Sequence, residues 1–329
     1  MTADDTALSE GMLDNGIAPT RQRNAAGGTG SPADVSETLT LQLAYRPPFD
    51  WSGMMAFLGM RAMRGVERVC EDAYLRTVEL GEHRGWIHVR HDMKKRVLLV
   101  EFTHSLAPVL PALLGRLRDL FDLSARPDVI AAHLSRDERL AAGVARNPGL
   151  RVPGAFDGFE LALRAILGQQ ITVKAAATLA GRLVEAFGEP IATPHPGLTR
   201  LCPTAERVAA ADVEVIGSLG IVRARSQCMV GLAGEVAAGR LRLEAGGDAE
   251  ATVDKLIGLP GIGPWTAQYI AMRALRWPDA FPKEDVALRN RLGGVSPSVA
   301  EKLSQPWRPW RSYATLHLWH SPPRPAVRS

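Results

Sequence analysis

Cysteine is scarce in this chain: three residues in 329, Cys70, Cys202 and Cys228, far apart in sequence. Three cannot build a disulfide framework or a closed zinc site, so neither kind of staple replaces a hydrophobic core. Long apolar runs are missing too, and none approaches the roughly 18–20 residues that span a bilayer. The N-terminus carries Asp4, Asp5 and Glu10 where an export signal would carry positive charge and then an apolar stretch. No long-period repeat is visible, which argues against a solenoid. These absences point to a soluble cytoplasmic protein. What is present is ordinary: 46% hydrophobic and 22% charged residues exclude a wholly disordered chain. The length suits two or three domains with a real core.

The net charge of +4 conceals an asymmetry. Residues 1–38 hold six acids (Asp4, Asp5, Glu10, Asp14, Asp34, Glu37) against Arg21 and Arg23, a balance of −4 that leaves +8 on the rest. A basic body behind an acidic tail agrees with a polyanionic partner without demanding one.

Residues 1–37, rich in Gly, Ala, Ser, Thr and Asp, show no sustained period and read as a disordered leader. Leu39, Leu41, Leu43 and Tyr45 then alternate with polar residues, the period of a half-buried strand. A helix is predicted over 51–64, strands over 72–80, 84–90 and 96–102, and a helical repeat from Leu106 to Phe121. This is a small antiparallel sheet with about two helices, ending near residue 124. Beyond it only helical patterns follow, at 126–145, 155–170, 172–187, 204–211, 223–237, 249–258, 264–276, 285–293, 296–304 and 309–320. The fold class is therefore α+β: an antiparallel-sheet domain (38–124), a helical domain (125–247), and a further helical segment (248–322) packing with it.

The informative stretch is Leu259-Pro260-Gly261-Ile262-Gly263-Pro264-Trp265-Thr266, set between two helical patterns. Pro260 presets a turn, and Gly261 and Gly263 allow positive φ and close approach of another backbone. Pro264 suits the first turn of the next helix. Free N–H groups at such a helix start suit a phosphate oxygen. A bare Gly-x-Gly is more often a ligand-free helix connection; the full pattern with its following helix reverses that weighting. It resembles the helix-hairpin-helix motif, which grips a DNA backbone without reading sequence. Asp285 follows 22 residues after Gly263, at a predicted helix start. An N-cap role alone explains most such residues. Hairpin, loop and Asp together, however, resemble the helix-hairpin-helix DNA glycosylase superfamily, in which that Asp is catalytic.

Further stretches resemble the AlkA-type 3-methyladenine DNA glycosylase II branch: Pro47-Pro48-Phe49-Asp50-Trp51, Leu163 to Gln170, Trp307 to Ala314, and His317-Leu318-Trp319. The resemblance covers about 39–320. It implies Asp285 as the catalytic residue and a base pocket of Trp265, Tyr269, Trp319, Phe57 and Arg61. It implies DNA contacts from Gly261, Gly263 and Thr266, and a minor-groove wedge at Gln170, where the branch usually has an apolar Leu. Carbonyls of Ile257, Leu259 and Ile262 would hold a monovalent Na+ or K+; no organic cofactor is implied. Trp265 stands where lyase-competent members carry Lys, so no Schiff base is expected. No cysteine follows Cys228, so the iron–sulfur cluster of another branch is not expected. Glu284 is a rival to Asp285, and Trp265 and Tyr269, four apart, could equally be core. Val286 is expected to widen the cleft. The resulting expectation is a monofunctional, monomeric glycosylase in the bacterial cytoplasm, excising alkylated bases from double-stranded DNA. The alternatives are a non-catalytic DNA-binding module and a glycosylase for another lesion.

Overall fold

The computed structural model describes residues 37–321, so the expected leader lies outside the described residues except for Glu37. Five strands form one antiparallel sheet in the order β1-β5-β4-β3-β2: β1 (Thr38–Ala44), β2 (Glu67–Cys70), β3 (Ala73–Leu80), β4 (His83–Asp92) and β5 (Val97–Thr103). Thr38 pairs with Thr103 and Leu43 with Leu98, which turns Leu43 inward and leaves Thr40, Gln42 and Ala44 exposed. Helix α1 (Trp51–Gly59) crosses from β1 to β2, its start capped by the Asp50 carboxylate, which accepts the Gly53 N–H at 2.9 Å. Trp51, Tyr74 and Phe121 bring α1, β3 and the end of α2 (Leu110–Leu120) together.

The helical part comprises α3 (Pro127–Leu134), α4 (Glu138–Arg146), α5 (Gly158–Leu167), α6 (Val173–Phe187), α7 (Ala205–Ala209), α8 (Val213–Ser218) and α9 (Arg223–Ala237). There follow α10 (Ala249–Ile257), α11 (Pro264–Arg273), α12 (Val286–Arg291), α13 (Pro297–Ser304) and α14 (Arg311–Trp319). Helix α14 is central, with Arg311 through Leu318 all buried. No helix among the described residues is long and apolar enough to cross a membrane.

Several expectations are corrected. Periodicity gave no strand at β2, which is only four residues long, and no helix at α8. The single helix expected over 126–145 is two, because Asp137 starts a new one by accepting the Arg139 N–H at 2.7 Å. The helical repeat from Leu106 begins as a 3-10 turn, His104–Val109, with Pro108 inside it.

The sheet is joined to the helices by buried charge. Arg76 of β3 donates to Glu160 of α5 at 2.5 Å, and Arg164 of α5 donates to Glu67 of β2 at 2.7 Å. Burial would push the Glu67 carboxyl up, but Arg164, Arg76 and the Tyr74 hydroxyl outweigh it and hold the group low. Such pairs fix geometry more than they stabilise, because desolvation offsets most of their attraction. Here they set α5, and the loop that follows it, against the sheet.

Candidate active site

Helices α10 and α11 meet at the expected hairpin. Gly261 has φ +88, and a Cβ there would lie 3.0 Å from Cβ and 3.1 Å from Sγ of Cys228 on α9. Any larger residue is thus excluded by conformation and by space together. Gly263 corrects the expectation: its φ is −88, and a Cβ there would meet nothing within 4 Å. What glycine leaves at 263 is open surface, where a polymer backbone can come close. The N–H groups of Gly261 and Gly263 have no acceptor among the described residues. Ile262 is buried, and its N–H donates to the Leu259 carbonyl at 3.1 Å; Ile257 is 43% exposed.

Thr266 is corrected too. It is buried, and its hydroxyl accepts from Gln169 at 3.2 Å rather than facing outward. The same Gln169 amide donates to the Gly261 carbonyl at 2.9 Å, and Arg225 donates to the Gln169 carbonyl. Gln169 therefore ties the loop after α5 to the hairpin. Sequence reasoning passed over it in favour of its neighbour. Gln170, the expected wedge, sits exposed at the tip of that loop with φ +56. This left-handed conformation is uncommon for a residue with a side chain.

Behind the hairpin a cleft of about 610 Å³ opens, within the size range of small-ligand sites. Phe57, Arg61, Trp265, Tyr269, Asp285 and Trp319 all line it. Asp285 caps α12, its Oδ1 accepting the Leu288 N–H at 2.7 Å. The indole of Trp265 donates to Oδ2 at 2.8 Å, and that of Trp319 to Oδ1 at 3.2 Å. Three donors thus fix the Asp285 carboxyl group at the cleft wall.

The loop carrying Asp285 is secured from α14. Arg311 makes a two-pronged contact to Asp279 at 2.8 and 2.9 Å, and the Ser312 hydroxyl donates to the carbonyls of Trp277 and Ala280. Gln268 of α11 accepts the Phe281 N–H at 3.0 Å. Arg311 and Ser312 lie in a stretch whose resemblance was visible, but their task is tertiary. Glu284, the rival carboxylate, lines a different hollow, shared with Lys283, Glu301 and Arg308. Val286 is exposed and does not line the cleft, whereas Ala287 does.

The aromatic groups differ in what they offer. Trp265 and Tyr269 stack at 5.2 Å, nearly parallel, and Tyr269 faces Trp319 at 6.5 Å. Phe57 already carries guanidinium groups on its ring, Arg61 at 3.7 Å and Arg273 at 4.8 Å. Arg273 donates to the Tyr269 hydroxyl at 2.7 Å. Burial would raise that phenol, but the charges of Arg273 and Arg61 outweigh it and hold it below its ordinary value. The cleft thus combines a carboxylate held by two indoles at Asp285 with guanidinium groups on the rings of Phe57 and Tyr269.

Residues 40–157 match the AlkA N-terminal domain, and residues 163–309 match the HhH-GPD superfamily of base excision DNA repair proteins. DNA-3-methyladenine glycosylase 2 of Escherichia coli (strain K12) is 37% identical over 280 residues, which is 85% of this chain and 96% of that protein. The chain belongs to the AlkA-type HhH-GPD family of DNA glycosylases. Within that family, the "Probable bifunctional transcriptional activator/DNA repair enzyme AlkA" of Mycobacterium tuberculosis (strain CDC 1551 / Oshkosh) is 39% identical over 308 residues. That match takes in 92% of this chain but 61% of the longer relative. The fold is also that of a 3-methyladenine DNA glycosylase from Archaeoglobus fulgidus, with a TM-score of 0.71 at 20% identity, over 84% of this chain and 96% of that one.

Proposed function

We propose that this family member is a monofunctional glycosylase that flips alkylated bases, such as 3-methyladenine and 7-methylguanine, out of duplex DNA and hydrolyses their glycosidic bond. The observation that carries this reading is Asp285, an aromatic-bound carboxylate at the wall of a base-sized cleft beside a phosphate-gripping hairpin. A base within the stack is unreachable, so it must rotate outward, with Gln170 filling the gap it leaves. An N3- or N7-alkylated purine is cationic and leaves without a general acid. It leaves with the C1′–N bonding pair, which neutralises its ring. The positive charge that develops on the sugar is stabilised by Asp285, which also takes a proton from the attacking water. These charges orient the substrate. Arg61 and Arg273 repel a cationic ring from Phe57, while Trp265, Trp319 and Asp285 attract it, each aromatic contact contributing roughly 0.5–2 kcal/mol.

No lysine lines the cleft among the described residues, and Lys283 lies 4.0 Å from Glu301 in the other hollow. The reading therefore includes no Schiff base and no strand cleavage. The carbonyls of Ile257, Leu259 and Ile262 would hold Na+ or K+; neutral oxygen donors suit a monovalent ion, and the Leu259 oxygen keeps a lone pair beyond its bond to Ile262. Such an ion would stiffen the hairpin against phosphate. The acting species is a monomer in the cytoplasm on double-stranded DNA.

The test is incubation with methylated duplex DNA and chromatography of the released bases. Free 3-methyladenine and 7-methylguanine are expected, from strands that break only on later alkali treatment. Folded protein that releases neither base overturns the reading. An adduct trapped by borohydride and lost in Lys283→Ala overturns its monofunctional part.

A further inference from the structure

Beside the cleft lies a second groove of about 700 Å³, between the end of α1 and one face of α6. It shares Met60, Val173 and Ala177 with the cleft, so the two hollows adjoin. Three cations line it, Arg64, Lys174 and Arg182, all exposed, and no carboxylate does. Single exposed cations are usually solvated surface. By contrast, Arg76, Arg164 and Arg200 each face a glutamate. Among the described residues, Arg64 and Lys174 have no ion pair, and Arg182 gives one N–H to the Leu219 carbonyl at 2.9 Å. The floor between them is small. A Cβ at Gly181 would already stand 3.3 Å from Cβ of Arg64, so Gly181 lets the chain after α1 settle onto α6. Beside the cations, Met60 is 60% exposed and Val173 is 42% exposed.

Position supplies the remaining argument. Helix α6 begins just after the exposed loop tip at Gln170, with Thr172 as its N-cap. The cleft is lined both by α11, which follows the hairpin, and by α6. The groove is lined by α6 and not by α11. We propose that it is a second phosphate track, which takes the duplex backbone on the side of the flipped nucleotide opposite the hairpin. Arg64 and Lys174 make charge-assisted contacts to phosphate oxygens there. Met60 and Val173 pack against the deoxyribose. DNA is favoured over other polyanions because the groove adjoins the cleft that would receive the base; in this respect the inference rests on the proposed function. A hairpin alone holds one side of a lesion, whereas holding both sides resists closure of the duplex while the base is out.

The test uses the full chain and a duplex carrying a tetrahydrofuran abasic analogue, with binding followed by fluorescence anisotropy over a range of salt concentrations. Arg64→Glu combined with Lys174→Glu should weaken binding about tenfold or more at low salt, and the slope of log K against log salt should shrink by about 2, near 0.9 for each lost phosphate contact. Duplexes cut back on one side of the analogue sharpen the assignment. Wild type should lose affinity with either arm shortened; the double variant should respond to one arm only. Wild-type affinity and slope in the double variant overturn the groove. If charge reversal impairs folding, Arg64→Gln with Lys174→Gln serves, with the same slope change expected and an unchanged slope again overturning the proposal. A protein that binds the abasic duplex yet releases no alkylated base overturns the glycosylase reading, not the groove. An active enzyme indifferent to the substitutions overturns the groove alone.

Discussion

The two walls of the cleft are built in opposite ways. Lys255 to Ala267 supply the hairpin and the start of α11 with Trp265, and Tyr269 follows one turn on, so the lining here comes from one continuous stretch. The facing wall draws Phe57 and Arg61 from α1, Arg164 from α5 and Ala176 from α6. Its shape depends on buried ion pairs between β2, β3 and α5. The comparison teaches that side chains of the first wall, Gly261 against Cys228 excepted, can be altered with less disturbance to the fold than the buried charges behind the second. Substitutions on the hairpin side should act on chemistry, and those behind the far wall on stability.

Asp285→Asn tests the first half most severely. The amide still caps α12 and still accepts an indole N–H, so the fold should persist. Its charge is gone, and base release should fall about 10³-fold or more. Single-turnover excision, with affinity for an abasic-analogue duplex as control, measures it; near-wild-type excision would promote Glu284.

Behind the far wall, Arg76→Met leaves Glu160 and Glu67 buried with less positive charge. It should cost about 3–5 kcal/mol in urea unfolding. Adding Glu160→Met should restore much of that loss, since both charges are then absent. No recovery would mean that packing, not charge balance, holds the sheet to α5.

A third outcome concerns pH. His317 on α14 is buried, and burial with the nearby charges of His320 and Arg146 lowers its pKa to about 4, against an ordinary 6.5. The unfolded chain therefore binds a proton that the native one refuses. His317 contributes fully above about 6.5, and stability should fall by about 3 kcal/mol as pH drops from there towards about 4. His317→Gln should flatten this part of the profile. An unchanged profile would place the acid sensitivity in the carboxylates.

The smallest effect is expected from Trp265→Phe, which keeps a ring over Tyr269 but removes the N–H that reaches Asp285. A loss of roughly tenfold in the excision rate is expected, with KM little changed. A change in KM alone would make Trp265 a base-stacking group and nothing more.

These contrasts explain what was legible in the sequence. The hairpin, the helix after it and the carboxylate were readable because each is a short-range pattern. The sheet was readable from alternation, except for β2, too short to show a period. Gln169, Arg311 and Ser312 were not, because their partners are 92 residues away for Gln169 and more than 30 for the other two. The task of the Thr266 hydroxyl was hidden for a related reason: its partner, Gln169, is 97 residues away. Phe57 was placed correctly in the cleft, but no pattern in the sequence announces that its ring already carries two guanidinium groups.

The seat of Gly261 against Cys228 has a consequence for survival. Compounds that methylate DNA also methylate thiols, and they react with the thiolate rather than the protonated group. Covered by the hairpin and starved of solvent, Cys228 has its pKa pushed up to about 11. At neutral pH only on the order of 1 in 10⁴ such groups is ionised. The burial that raises this thiol thus keeps the sulfur beside the hairpin turn in its unreactive form, under the very chemical exposure that creates alkylated DNA.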